Sequence, residues 1–454
     1  MKKSLFIMAL GAFALTSCSQ DEVLQVNQDA VEFSVATENA NRGTVETTDD
    51  IDDFMVKAFN VGDNEFNTTV FMDNMKVYRT KDGGTWSDWT YGSTKFWPNE
   101  GKINFYSYSP ADLNEKDFAT VTINPTQGSN GSTSNLGAQT IQYTVPTKCS
   151  EQIDVLYALN TGMSKANKNV AVNFRHALSQ IVFQAKNIKK DLKVVIKGVR
   201  VVNLKNSATF TWPAVATTVQ TALDANGDVV DNGTDTEGKS WGTWDSYATD
   251  YVSHPADITE ATLAYGDDAG EVSTLTTDGN PLLLLPQQIS PATIDKENNF
   301  MKFEAGKSFF VIDCVIFNVE QTGVDASSNP IYTETQLWPA TADATAEVAI
   351  PVSSPDKVVN ADSSISYFWK QGRRYVYTFV FGQGAGYIGP NGENAPADPD
   401  APEAGGNTNT ADPNEPGDPV LVPVTFTVTV DMFQTAEEAI DMNTGNDAVT
   451  GTNP

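Results

Sequence analysis

Residues 421–433 read LVPVTFTVTVDMF, and residues 31–35 read VEFSV, so a Val-x-Phe-x-Val pattern stands near both ends of the chain. A β-strand sends successive side chains to opposite faces. Val31, Phe33 and Val35 therefore share one face of the first strand, and Val424, Phe426, Val428 and Val430 share one face of the second. The two strands predict occupants of the same kind of slot, one a removable plug and the other its replacement. Arg42 follows the first strand in the polar stretch ENANRGTVETTDD, and no other arginine precedes Arg79.

The second strand follows a stretch that cannot fold by itself. Residues 389–419 are mostly Pro, Gly, Asn, Asp, Glu and Ala, with no large apolar side chain to bury. Such a segment is a semi-extended tether of about 30 residues, stretched by its own negative charge. A strongly alternating strand on a loose tether is expected to need a receiving sheet elsewhere.

Strand signals recur throughout: FMVKAF at 54–59, INFYSY at 103–108, DVLYAL at 154–159, ALSQIVFQA at 177–185, the run 192–204, LLLL at 282–285, FFVIDCVIF at 309–317 and YVYTFVF at 375–381. Gly, Asn, Asp and Pro punctuate them, as at Asp82-Gly83-Gly84. No segment sustains the apolar period of a helix, so the chain reads as all-β, with sandwiches and long loops. A strand-rich half ends at residues 203–206 and a loop-like stretch containing Trp212, Trp241 and Trp244 follows, which places a domain boundary near residue 205.

The N-terminus predicts export. Lys2 and Lys3 precede an almost wholly apolar run at 5–15, too short to span a bilayer, and LTSC at 15–18 closes it with small residues before a cysteine. LTSC resembles a bacterial lipobox, which implies lipidation of Cys18 after cleavage. The acidic SQDE at 19–22 resembles a surface-export tag. Fifty-eight acidic against 29 basic side chains give a net charge of −29 over 454 residues, which repels nucleic acid and anionic lipid. Besides Cys18 only Cys149 and Cys314 remain, too few for a disulfide framework, and Cys314 lies in a buried-strand run that predicts an inert core thiol.

Taken in order, the lipobox, Asn41-Arg42-Gly43, FWP at 96–98, INFYSYSP at 103–110, DVLYA at 154–158, NFRHALSQIVFQA at 173–185, LLLLPQ at 282–287 and YVYTFVFGQGAGY at 375–387 resemble the fimbrillins, subunits of type V pili, and related surface lipoproteins. The resemblance implies two transthyretin-like β-sandwich domains. It also implies cleavage between Arg42 and Gly43 by an arginine-specific, trypsin-like protease, with loss of the strand carrying Val31, Phe33 and Val35. A donor strand carrying Val424, Phe426, Val428 and Val430 then fills the groove of another subunit. Until cleavage the lipid holds the precursor to the outer membrane; afterwards the subunit belongs to an adhesive fimbrium.

The expected organisation is a lipoprotein signal at 1–17, a propeptide at 18–42, one sandwich at 43–205, a second at 206–388, a linker at 389–420, and donor strand plus tail at 421–454. If the donor instead folds back on its own domain, a tip rather than a stalk subunit results. Four apolar donor side chains entering a groove are worth roughly 6–12 kcal/mol before entropy costs, at about 1.5–3 kcal/mol each.

Other chemistry finds little support. The chain shows no nucleophile motif, phosphate loop or clustered metal set, so enzymatic activity, a cofactor and a metal are not expected. His176 reads as a structural residue at a strand end, and His254 falls in a loop. Asp224, Asn226, Asp228, Asn232 and Asp235 have calcium-loop spacing, but Val229 stands where such a loop needs glycine. The pairs Trp86 with Trp89 and Trp241 with Trp244 suit core capping or stacking on sugars. The second use corresponds to a glycan-binding surface lipoprotein of a polysaccharide-uptake system.

Overall fold

The computed structural model describes residues 30–36, 51–61, 69–124, 139–167, 169–217, 222–223, 229–230, 241–277, 279–295, 297, 300–339, 341, 344–382, 386–391 and 424–432. Among these the fold is all-β, with only short 3-10 turns besides strands.

One body is built on a six-stranded sheet in the order Arg175–His176, Leu156–Met163, Ile103–Ser109, Asp53–Asn60, Thr69–Tyr78 and Thr90–Tyr91. Its strands Ile103–Ser109 and Leu156–Met163 are apolar on both sides because both faces are covered there. Phe54, Val56, Phe105 and Leu156 face one core, which also holds Val31, Phe33, Val170 and Val172 from a two-stranded parallel sheet, Glu32–Ala36 with Asn169–Asn173. Tyr106, Tyr108, Tyr157 and Leu159, one residue out of phase, face the main core, where Ile141, Tyr143 and Phe210 lie. Those three come from a four-stranded sheet in the order Thr243–Asp245, Ser207–Thr211, Thr140–Thr144 and Ala119–Thr122.

The main core continues between two further sheets. One pairs Ser179–Asn187 in parallel with Arg373–Phe381, and the other pairs Leu192–Leu204 with Phe309–Val324 and that with Ala346–Pro351. Phe183 and Phe379 of the first sheet stack at 5.8 Å, and both meet Phe310 of the second edge-on at 5.6 Å. Such aromatic packing adds about 0.5–1.5 kcal/mol per pair beyond area burial.

Pairing crosses the boundary expected near residue 205. Leu192–Leu204 lies against Phe309–Val324, while Ser207–Thr211, just beyond it, returns to Thr140–Thr144. The run 206–280, which reads as loop, supplies short strands to both bodies, including Thr243–Asp245 and Val252–Pro255. His254 is therefore not in a loop: it lies in Val252–Pro255, paired with Leu192–Leu204, and is fully buried.

A buried ion pair stands where the chain leaves this body. Arg200 Nη2 meets Glu347 Oε1 at 2.6 Å, and Arg200 Nη1 lies 3.4 Å from Asp313 Oδ1. Asn391 donates its backbone N–H to Glu347 Oε2 at 3.0 Å, and the Gly389 N–H donates to the Glu347 carbonyl at 2.7 Å. Burial raises the pKa of Glu347, opposed by Arg200 and Asn391.

Candidate functional site: the two terminal strands

The first strand is held by ladder bonds on one side and an aromatic box beneath. It runs parallel to Asn169–Asn173 with Phe33 opposite Val170 and Val35 opposite Val172. At its start, the Val31 N–H donates to the Lys95 carbonyl at 2.9 Å, and Tyr91 donates its hydroxyl to the Val31 carbonyl at 2.7 Å. The Phe33 ring meets Tyr91 edge-on at 5.6 Å, and Phe54 and Phe105 each at 5.9 Å. Val31 and Phe33 are buried, Val35 half-buried, and Glu32 exposed, which is the alternation that one-sided packing requires. Removing this strand would uncover the rings of Phe54, Tyr91 and Phe105. The aromatic box was not apparent from sequence: its members lie far apart in the chain, and only the alternating NVAVN at 169–173 marks the neighbouring strand.

The C-terminal strand, Val424–Met432, lies antiparallel on Arg373–Phe381, with Val428 opposite Tyr377 and Val424 opposite Phe381. It forms the edge of its sheet, and Val428 is half-buried against the main core. The receiving sheet here is provided by its own chain, the folded-back arrangement that the sequence left open. The two terminal strands also occupy unlike slots within one chain: the first is parallel to its neighbour in one body, the last antiparallel in the other. The repeated pattern reflects what each slot shares, an apolar face behind a single ladder. Cys18, Arg42 and Gly43 lie outside the described residues. Val424, Phe426 and Val430 are described as strand positions only.

The family described as Fimbrillin-like matches residues 36–313 of the chain. The chain belongs to the fimbrillin-like family. Among solved structures, this fimbrillin-like chain is similar to a protein of proposed cell-adhesion role from Bacteroides uniformis, at 12% identity over 89% of this chain and 97% of that one, with a TM-score of 0.34. It is similar to the tip fimbrial protein Mfa3 of Porphyromonas gingivalis, at 9% identity over 88% of this chain and 99% of that one, TM-score 0.28. It is also similar to the fimbrial anchor protein Mfa2 of the same organism, at 9% identity over 79% and 96%, TM-score 0.24. No curated protein matches it.

The remaining residues singled out in this fimbrillin-like sequence turn inward. Trp89 meets Phe54 edge-on at 5.1 Å, and the Arg79 guanidinium covers Trp86 at 4.1 Å and Trp89 at 4.6 Å. The Trp244 indole N–H donates to the Ala177 carbonyl at 2.7 Å, and Arg175 sits over Trp241 at 4.4 Å. These rings cap cores and cations, so their pairing carries no argument for sugar stacking. His176 Nδ1 lies 2.7 Å from Asp154 Oδ2, both buried, as a structural contact at a strand end. Cys149 and Cys314 are buried and unpaired, and burial pushes both thiols up. Asp224, Asn226, Asp228, Asn232 and Asp235 lie outside the described residues, and Val229 pairs with Leu223 in a short ladder.

Proposed function

We propose that this chain is a structural subunit of a cell-surface type V pilus, exported as a lipoprotein through Cys18 and activated by cleavage between Arg42 and Gly43. An arginine-specific, trypsin-like protease makes the cut, and the strand bearing Val31, Phe33 and Val35 leaves. Its place is taken by the Val424, Phe426, Val428 and Val430 strand of another subunit, and the polymer serves adhesion. Family membership supports the pilus reading and association with related subunits at the cell surface.

The observation that carries the proposal is the buried first strand, whose Val31 and Phe33 fill an apolar groove while the chain continues toward Arg42. A precursor that caps its own groove avoids premature pairing. The C-terminal strand rests on Arg373–Phe381 of its own chain and must leave it to be donated. A stalk subunit releases it; a tip subunit keeps it.

Intact mass of the surface protein tests the cleavage. A mature chain beginning at Gly43 is expected, and Arg42→Ala should give a lipidated monomer that forms no ladders on an unboiled gel. Fibres built from that variant would refute the scheme, and a surface chain that keeps its lipid would favour a glycan-uptake lipoprotein instead.

A further inference from the structure

The four-stranded sheet turns its outer face to solvent, and that face is polar along its whole length. Alternation puts Ile141, Tyr143, Ala208 and Phe210 into the core, and leaves Gln142, Thr144, Ser207 and Thr209 outside. Pairing aligns these in rows: Thr120 lies opposite Gln142, Gln142 opposite Thr209, and Thr144 opposite Ser207. The rows form a concavity of about 300 Å³, which Asp117, Phe118 and Ser246 also line.

We infer that this groove binds a neutral sugar, a mono- or disaccharide unit at the end or along the side of a glycan. The inference deepens the adhesive part of the reading above, and rests on it only for where the ligand is met. Three observations select the ligand class. First, the side chains of Thr120, Gln142 and Thr209 have no partner among the described residues, so hydroxyl and amide groups that both donate and accept are presented side by side, the complement of a sugar's vicinal hydroxyls. Adjacent strands hold them ~4.8 Å apart, close to the breadth of a pyranose ring.

Second, among the described residues no cation lines the groove, Asp117 contributes a carboxylate, and the chain carries a net charge of −29. Sialylated and sulfated glycans are therefore repelled. Third, Thr140–Thr144 and Ser207–Thr211 beneath the groove are paired on both sides, and at the edge strand Ala119–Thr122 the outward N–H groups of Ala119 and Val121 are already taken, by the Lys116 carbonyl at 3.2 Å and Asn114 Oδ1 at 2.7 Å, which disfavours an added peptide strand. The half-buried ring of Phe118, braced edge-on by Tyr143 at 5.8 Å, adds an aromatic side of the kind sugar C–H faces favour.

The volume stands at the low end of ligand pockets, ~300–1,000 Å³, so affinity per site is weak. Repetition along a polymer would convert weak sites into strong attachment.

Saturation-transfer NMR on the purified full chain tests this with maltotriose, cellotriose, chitotriose and lactose, each at ~5 mM to reach the weak end of affinity. Transfer to at least one of these is expected. The Gln142→Ala, Thr209→Val double variant should weaken that sugar by about tenfold or more, as loss of two hydrogen-bonding groups implies. Thr122→Ala, on the same face but outside the groove, should not change it, and unchanged melting of all variants shows that the fold is intact. Transfer to none of the four sugars, transfer that survives the double variant, or preferential transfer to sialyllactose would each overturn the assignment. Ladder formation by the same samples is read separately, so failure here leaves strand exchange standing and the reverse.

Discussion

Tyr91 donates its phenolic hydrogen to the carbonyl oxygen of Val31 at 2.7 Å, joining residues 60 apart in the sequence. The Tyr91 hydroxyl oxygen in turn accepts the Lys95 N–H at 3.2 Å, so one phenol ties the start of the first strand to the loop beside it. Burial raises the Tyr91 pKa, which keeps the donor hydrogen in place at any physiological pH.

Truncating the first strand's anchor should weaken its body as much as a core deletion. Phe33→Ala is expected to cost about 3–5 kcal/mol, and Tyr91→Phe only about 0.5–1.5 kcal/mol. Urea unfolding of the uncleaved precursor measures both. Equal, small effects would mean that the strand contributes little to its groove.

The last strand gives a register test. Val428 packs on the main core, so Val428→Asp should place a charge without a partner against it, whereas strand alternation alone turns position 427 the other way, and Thr427→Asp is expected to be tolerated. After protease treatment the first variant should lose its oligomer ladder and the second should keep it. Equal loss in both would refute the register.

Much of this fold was legible because apolar runs that are buried on both faces stand out. The run at 192–204 coincides with Leu192–Leu204, and INFYSY falls within Ile103–Ser109. Strands with one wet face were harder: SATFT of Ser207–Thr211 carries few apolar residues, and in TVFMDNMKVY of Thr69–Tyr78 the polar Asp73-Asn74 at an irregular point of the ladder breaks the alternation. The 309–317 run extends to Val324 because the strand projects past the sandwich and its last five residues are exposed. Near residue 205 a change in strand length coincides with the chain's crossing from one sheet to another, from Leu192–Leu204 to Ser207–Thr211. At the site, the alternation of Val31, Phe33 and Val35 was readable, but its aromatic box depended on pairings between distant strands.

His254 should make the protein sensitive to acid. Burial lowers its pKa from 6.5 to about 4, and neither ring nitrogen has a hydrogen-bond partner among the described residues. The unfolded chain takes the proton first, so this contribution is complete above about pH 6.5 and is lost as pH falls through about 4. The loss amounts to about 3 kcal/mol. Melting curves of wild type and His254→Leu across that range should diverge in slope, the variant being flatter; parallel curves would refute the assignment.

Export is tested at Cys18. Cys18→Ser should abolish lipidation and surface display, because a single cleavable apolar run at 5–15 is too short to anchor the chain. Normal display of the serine variant would remove the lipoprotein reading.

The root of the tether gives a further test. A Cβ on Gly389 would overlap Glu347 Cβ and sit 2.7 Å from its Oε2. Gly389→Ala should therefore free residues 386–391, seen as faster proteolysis in that stretch with little change in global unfolding. Unchanged digestion would show that the Glu347 contacts are dispensable.

The same attachment decides how a fibre would carry tension. With the last strand seated in a neighbour, a pull would reach this subunit at Asn391 and pass through the Glu347 carboxylate to Arg200, 147 residues away in sequence. Those side chains stand on Ala346–Pro351 and Leu192–Leu204, which flank Phe309–Val324 in one sheet, so the force would be shared laterally by three strands. A peeling load would become a shearing one. Single-molecule extension should then show the exchanged strand slipping out before the subunit unravels, and Gly389→Ala should reverse that order.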